Sequence, residues 1–465
     1  MEIPVKDFDL LIVGSGPAGQ HAALHAAHLG KRVGIIERKP HIGGAGLQTG
    51  TIPSKALREV AYMASQLGRR GMREAFSDDT RPRHGLLSEA IYRKEMVITQ
   101  QESVILNQLM SHGVSLIPGE ASFVDEHTLE VIGKGGESRK LTADVIILAT
   151  GSRPRRPSDI PFDKQTVLDS TSILKLKHLP RSLVVIGGGV IACEFVSIFA
   201  ALGVKVTVVD SHAQVLDYLA GDVVSVLTDA MQSMGVIFHM KSRCVAVRKE
   251  EGQICTLLES GERLYSDTLL YAQGREPNFD HLKVSEAGIE AVDGWITVND
   301  CFQTSVPHIY AVGDLIGRPA LASTGMEQGR TAVEYAFEGT RSSMNQNMPM
   351  AIYTIPELSS VGKTERELKE AGIDYVVGRG WFNKSARGQI IGDATGVLKL
   401  NVERGSGKIL GVHIVGESAS ELIHIGQLVM NLNGTVDDLV RNVFNYPTLA
   451  ECYKLAAKEC LSQFD

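Results

Sequence analysis

The run Asp9-Leu10-Leu11-Ile12-Val13 feeds Gly14-Ser15-Gly16-Pro17-Ala18-Gly19, an alanine-rich stretch to His28, and then Val33-Gly34-Ile35-Ile36-Glu37. A short apolar run, a glycine turn, a periodic segment and a second apolar run ending in an acid read as strand, turn, helix and strand. Holding a dinucleotide requires these parts. Glycine removes the side chain where backbone approaches a pyrophosphate, the helix N-terminus receives its negative charge, and the acid accepts from ribose hydroxyls. One such motif is weak, because glycine turns are common. Here it recurs: Leu183-Val184-Val185-Ile186 feeds Gly187-Gly188-Gly189-Val190-Ile191-Ala192, a helix through Leu202, and Val206-Thr207-Val208-Val209-Asp210. Glu37 and Asp210 stand at the same spacing from the first glycine of their copy, near the roughly 20 residues such motifs show. Two dinucleotide sites are expected, one on Gly14, Gly16, Gly19 and Glu37, the other on Gly187, Gly189, Ala192 and Asp210. Ala192 takes the place of a third glycine at a position that governs helix-to-strand packing, so the change is tolerated. Asp210 favours NAD, since it accepts from a free 2′-hydroxyl and repels a 2′-phosphate. No arginine follows in Ser211 to Leu216, so any NADP binding falls to His212 or to a basic residue from elsewhere, such as Lys241.

The repeat sets the division of the chain. The 465 residues are 43% hydrophobic, 22% charged and 6% aromatic, a folded globular balance with length for about three domains. A first dinucleotide-binding domain is expected over 1–155, a second over 156–275, a return to the first over 276–345 and an α+β domain over 346–465. Leu86 to Met110, free of glycine and proline, reads as a long helix. Val145 to Leu148 leads through Ala149-Thr150-Gly151 to a domain exit, and Tyr271 to Arg275 closes the second domain in the same way. Tyr310-Ala311-Val312-Gly313-Asp314 reads as a strand returning to the first domain. The net charge of −7 supplies no positive field for nucleic acid. Six scattered cysteines without C-x-x-C spacing argue against a disulfide framework or a metal site and point to a reducing compartment. Met1 to Leu10 mixes Lys6 with three acids, unlike an export signal, so a cytoplasmic protein is expected. The longest apolar window, Leu183 to Val204, holds Glu194 and three consecutive glycines and reads as strand and helix, not as a membrane span.

Gly14 to Gly19, Ile52-Pro53-Ser54-Lys55, Ala149-Thr150-Gly151, Gly187-Gly188-Gly189, Ala311 to Asp314 and Tyr446-Pro447-Thr448 together resemble the pyridine nucleotide-disulfide oxidoreductases, exemplified by dihydrolipoamide dehydrogenase. The resemblance spans nearly the whole chain. It implies an α/β fold with two Rossmann-like domains, for FAD and NAD(P), and a C-terminal α+β domain forming a homodimer. It implies FAD at the first turn, held by Gly14, Gly16, Gly19, Glu37, Arg38, Gly44, Thr51, Lys55, Thr150, Gly151 and Asp314. It implies a nicotinamide dinucleotide at the second, held by Gly187, Gly189, Ala192, Glu194, Asp210 and Gly274. Lys55 and Glu194 are then an ion pair beside flavin N5, where a cation stabilises the charge the flavin gains.

The sequence departs from the family where the disulfide reductases carry G-G-x-C-x-x-x-G-C-I-P-S-K. Both cysteine positions are replaced, by Gly46 and Thr51, and Tyr446 stands where those enzymes place a histidine before Pro-Thr. Neither glycine nor threonine forms a thiolate or a mixed disulfide, so reduction of a disulfide substrate by that route is excluded. Gly50 to Arg58, Tyr353-Thr354-Ile355-Pro356-Glu357 and Phe444 to Thr448 are similar to the soluble transhydrogenase branch of the family. With no second redox relay, hydride entering the flavin leaves to a second nicotinamide. The expected activity is ping-pong hydride transfer between NADPH and NAD⁺. Two alternatives stand beside it: an NADH diaphorase or quinone-type oxidoreductase, which Asp210 favours, and a non-catalytic NAD-sensing flavoprotein. Thr51 fills the space of the lost sulfur or touches the flavin, and Tyr446 caps the flavin from a partner subunit or packs the interface. His413 and His424 read as structural, Cys452 and Cys460 as buried spectators, and Arg81, Arg83 and His84 as a solvated loop.

Overall fold

A computed structural model describes residues 6–69, 83–317, 319–341 and 344–464. The chain forms two compact units: Met1–Ser54, Tyr92–Arg155 and Gly274–Met344 make the first, and Lys55–Ile91, Arg156–Gln273 and Asn345–Asp465 the second.

The first unit is built on parallel strands in the order Ser115–Pro118, Val33–Glu37, Phe8–Val13, Ser138–Leu148 and Ile309–Ala311. Ile12 is fully buried between Ile35 and Ile147, and Tyr310 pairs with Ile147 on the far side, so the returning segment completes this sheet. Strands with no polar face must be covered on both sides. Alanines 18, 22, 23 and 26 of the helix Pro17–His28 cover one, while Phe123, Leu129, Leu282 and Leu315 fill the other. The helix Arg83–Ser111 extends the expected span at both ends. Of the basic cluster, Arg81 lies outside the described residues, and Arg83 and His84 begin this helix instead of sitting in a loop. The two expected exits meet as a short antiparallel pair, Ser152–Pro154 with Arg275–Pro277.

The second unit repeats the plan. Parallel strands run Ile237–His239, Lys205–Val209, Ser182–Ile186, Thr268–Tyr271 and Val167–Leu168, with the almost wholly buried helix Val190–Ala201 on one face. The apolar window Leu183 to Val204 is thus a strand, a turn and a helix. Among the described residues no helix is long and apolar enough to cross a membrane. A separate five-stranded antiparallel sheet, Met350–Ile352, Glu357–Gly362, Ile409–Gly416, Val397–Glu403 and Tyr375–Trp381, carries the helices Ala419–Asn431 and Glu451–Leu461.

His413 is buried in that last sheet, with Ser360 Oγ at 2.7 Å from Nδ1 and the Lys363 carbonyl at 3.2 Å from Nε2. Burial pushes its pKa down to about 4. The unfolded chain therefore binds the extra proton between pH 6.5 and 4 while the folded one does not, so stability is full above pH 6.5 and lost as pH falls through that window. The expected loss is about 3 kcal/mol at pH 4 from this group. Denaturant titrations of the wild type and His413→Asn measure it, the variant showing the shallower fall. His424 is exposed and pairs with Gln427 at 3.0 Å.

Candidate functional site

The first glycine turn is held so that each glycine has its own reason. Gly14 has φ +107°, donates to the Ile36 carbonyl at 2.9 Å, and a Cβ there would lie 2.5 Å from the Ala149 carbonyl oxygen. A Cβ on Gly19 would lie 2.1 Å from the Gly14 oxygen, which lets the helix Pro17–His28 close on the strand. Gly16 is different: a Cβ there meets only the Gly44 Cα, at 4.0 Å. The protein itself does not need glycine at 16; a close-approaching ligand would. Gly16 is also the helix N-cap and no side chain caps it, leaving first-turn N–H groups for an anion. Glu37 ends its strand with Ser15 N and Oγ donating to Oε2 at 3.0 and 2.6 Å and Lys39 N donating to Oε1 at 2.9 Å. Thr150 Oγ1, beside this turn, is buried without a hydrogen-bond partner. Asp314 sits in the turn Gly313–Ile316, where Ser152 Oγ donates to its Oδ2 at 2.6 Å and Arg275 stands 3.7 Å away. An uncapped helix start, an open middle glycine, an orphaned hydroxyl and a fixed carboxylate at the strand end fit FAD. Arg38 instead reaches Glu120 at 3.2 Å on the surface.

The second turn reproduces the first. Gly187 has φ +119°, donates to the Val209 carbonyl at 2.9 Å, and would place a Cβ 2.7 Å from the Ala272 oxygen. A Cβ on Gly189, the uncapped N-cap of Val190–Ala201, meets nothing within 4 Å. Ala192 is fully buried, as a packing position requires. Asp210 is 7% exposed, and its Oδ1 accepts from His212 N at 2.8 Å and from Nδ1 at 2.7 Å. That carboxylate holds the His212 pKa above the usual histidine value. The Lys241 N–H donates to the His212 carbonyl at 2.8 Å. Gly274, in the first unit immediately before the strand Arg275–Pro277, has φ +95° and open space around it.

Lys55 lies one turn into the helix Thr51–Arg69, whose first residues, through Ser54, belong to the first unit. Its ammonium reaches both oxygens of Glu194, at 2.8 and 2.7 Å, with side-chain exposures of 25% and 6%. The Tyr353 N–H donates to Glu194 Oε1 at 3.0 Å, and the Lys55 ammonium stands 4.8 Å from the centre of the Tyr353 ring. The carboxylate is thus fixed from two sides. The expected pair is formed across widely separated sequence, but its third member, Tyr353, was not singled out for a role by sequence. Only its place in the Tyr353 to Glu357 segment hinted at it.

Gly46 lies in the short helix Gly44–Gln48, where a Cβ would sit 2.9 Å from the Pro17 ring, and Thr51 is exposed at the start of its helix. No thiol stands at either position. The six cysteines are all free, five of them buried, and burial raises the thiol pKa of Cys193, Cys452 and Cys460, so none of these three is an activated thiolate. Among the described residues no three His, Cys, Asp or Glu side chains are grouped to hold a metal. Tyr446 is 75% exposed in the isolated chain.

The comparisons with known proteins agree with this geometry. The family model for pyridine nucleotide-disulphide oxidoreductases matches residues 8–329, and the model for the dimerisation domain of the same family matches 348–457. A curated relative named soluble pyridine nucleotide transhydrogenase, from Mycobacterium bovis (strain BCG / Pasteur 1173P2), is 45% identical over 99% of this chain and 98% of its own. One of the same name from Hahella chejuensis is 39% identical over 98% of each chain. Among solved structures, LpdA from Mycobacterium tuberculosis superposes with a TM-score of 0.90 at 28% identity, covering 97% of this chain and 98% of that one. The HOCl-induced flavoprotein disulfide reductase RclA from Escherichia coli follows the same fold, with a TM-score of 0.86 at 27% identity over 98% and 100% of the two chains. Two matched dinucleotide turns, the sheet that returns through Asp314 and these full-length similarities lead to one assignment: the chain belongs to the pyridine nucleotide-disulphide oxidoreductase family.

Proposed function

We propose that this protein is an FAD-dependent transhydrogenase that moves hydride between NADPH and NAD⁺. The observation that carries the reading is the coexistence of two intact dinucleotide turns with Gly46 and Thr51, residues that cannot form a redox disulfide. Gly14, Gly16, Gly19, Glu37, Gly44, Thr150, Gly151 and Asp314 hold the FAD, and Gly187, Gly189, Ala192 and Asp210 hold the nicotinamide dinucleotide. The bound flavin supplies a carrier that takes hydride from one nicotinamide and returns it to the other, so the two nucleotides use one site in turn. By the family resemblance, Lys55, fixed by Glu194 and Tyr353, is the cation assigned to flavin N5. Thr51 occupies the space of the missing sulfur. Tyr446, 75% exposed in the isolated chain, packs at a homodimer interface, where tyrosines are enriched. The free cysteines suit a reducing cytoplasm.

Anaerobic turnover with NADPH as donor and an NAD⁺ analogue of distinct absorbance as acceptor, with no added disulfide, tests the reading. Parallel double-reciprocal lines are expected, and intersecting lines would remove the one-site scheme. Asp210 favours a second reading, an NADH diaphorase. Flavin reduced by NADH but not by NADPH would establish that reading in place of the first.

A further inference from the structure

A transhydrogenase must accept both NAD and NADP, yet the ribose acid of its nucleotide site, Asp210, repels a 2′-phosphate. The loop after it carries no arginine. What it carries is His212, whose backbone N–H and ring Nδ1 both donate to Asp210 Oδ1, at 2.8 and 2.7 Å. This leaves Oδ2 on the side of the glycine turn, 3.2 Å from where a Gly188 Cβ would stand. It also sets the tautomer of the ring. With the proton on Nδ1, neutral His212 presents only a lone pair at Nε2, while the charged ring presents an N–H there. That face is open, since the side chain is 59% exposed.

Resting on the transhydrogenase reading, we propose that His212 is the specificity switch of the nucleotide site: protonated, it offsets the charge of Asp210 and donates from Nε2 to the 2′-phosphate of NADP, whereas NAD uses Asp210 whether or not His212 is charged. The groups around the ring are few. Asp210 accepts from it at the end of the strand Lys205–Val209, and Asp217, in the loop that follows, lies 3.9 Å from Nε2. From the next strand and turn come His239, whose carbonyl accepts from Asp210 N and whose ring lies 3.6 Å from Glu262, and the exposed Lys241. The two aspartates favour the charged ring, and the histidine pKa is accordingly raised, chiefly by the hydrogen bond to Asp210. A bound 2′-phosphate adds a third negative partner and favours the proton further.

The test uses fragments that probe the adenosine half alone, so that it does not depend on flavin chemistry. Binding of adenosine 2′,5′-bisphosphate and of ADP to the holoprotein is measured by calorimetry from pH 6.5 to 9, where a phosphate monoester with a second pKa near 6 is already mostly dianionic. For the wild type, affinity for the bisphosphate is expected to fall about tenfold across the range, the scale of one lost charge-assisted hydrogen bond, while ADP stays level. His212→Gln is expected to bind the bisphosphate weakly at every pH and ADP normally. Lys241→Gln should weaken the bisphosphate evenly without altering the pH profile. Bisphosphate binding that is independent of pH and unchanged in His212→Gln, or lost only in Lys241→Gln, would overturn the switch while leaving the transhydrogenase reading intact. No bisphosphate binding at any pH, together with no flavin reduction by NADPH, would overturn both.

Discussion

Replacing Lys55 by methionine is expected to slow flavin reduction by NADPH about a hundredfold, the scale on which one preorganised charge acts at a site of developing charge. It should also cost about 2–3 kcal/mol of stability. Both effects come from one geometry. Glu194 is 5% exposed, and without the ammonium the Tyr353 N–H at 3.0 Å is left to hold its charge. Breaking a buried pair costs more than the pair contributes, because a charge is left behind; the quarter exposure of Lys55 moderates that cost. Lys55→Arg keeps the charge and should recover most of the stability and part of the rate. Stopped-flow reduction and thermal melts of the two variants separate the roles. A methionine variant that melts early but is reduced at the wild-type rate would make the pair structural only.

The two middle glycines give the second large effect. A methyl at Gly189 meets nothing within 4 Å, and Gly16 meets only a Cα at 4.0 Å, so either alanine is accommodated by the folded protein. The added methyl instead occupies the path of a pyrophosphate. Gly189→Ala is expected to keep its flavin and its melting temperature while KM for both NADPH and NADH rises about 10- to 100-fold, the effect of overpacking by one methyl. Gly16→Ala should lose flavin on dilution or gel filtration. Gly187→Ala differs from both: φ +119° and a Cβ 2.7 Å from the Ala272 oxygen strain the protein itself, so it should lose stability before it loses affinity. Unchanged KM values in Gly189→Ala would mean that the nucleotide does not cross this turn.

The parts of this molecule that sequence makes legible are those set by local pattern. The glycine turns, their flanking strands and the acids at fixed spacing declare themselves because each is a covalent neighbour of the next, and the structure gives both copies the same hydrogen bonds, from Gly14 to Ile36 and from Gly187 to Val209. The returning strand Ile309–Ala311 was legible from an apolar run ending in glycine and an acid. What pattern does not encode is partnership at a distance. Tyr353 clamps Glu194 through a backbone N–H, which carries no residue-type signal at all. Ser152 and Arg275 frame Asp314 because two exits from the dinucleotide domains pair as strands, and neither exit reveals its partner alone. Arg38 follows Glu37 in sequence, but it lies beyond the strand end and is drawn to Glu120 on the surface. His212 shows the intermediate case: its position two residues after Asp210 was visible, whereas the ring's hydrogen bond to the carboxylate depends on the turn that follows the strand.

The most direct measurement is an anaerobic titration of the oxidised holoprotein with NADPH followed by NAD⁺, read from the flavin absorbance. With no thiol pair to share electrons, one equivalent of NADPH per flavin is expected to bleach it fully, and NAD⁺ is expected to restore the oxidised spectrum. Reduction that demands two equivalents before the flavin bleaches, or bleaching by NADH alone, would contradict the account.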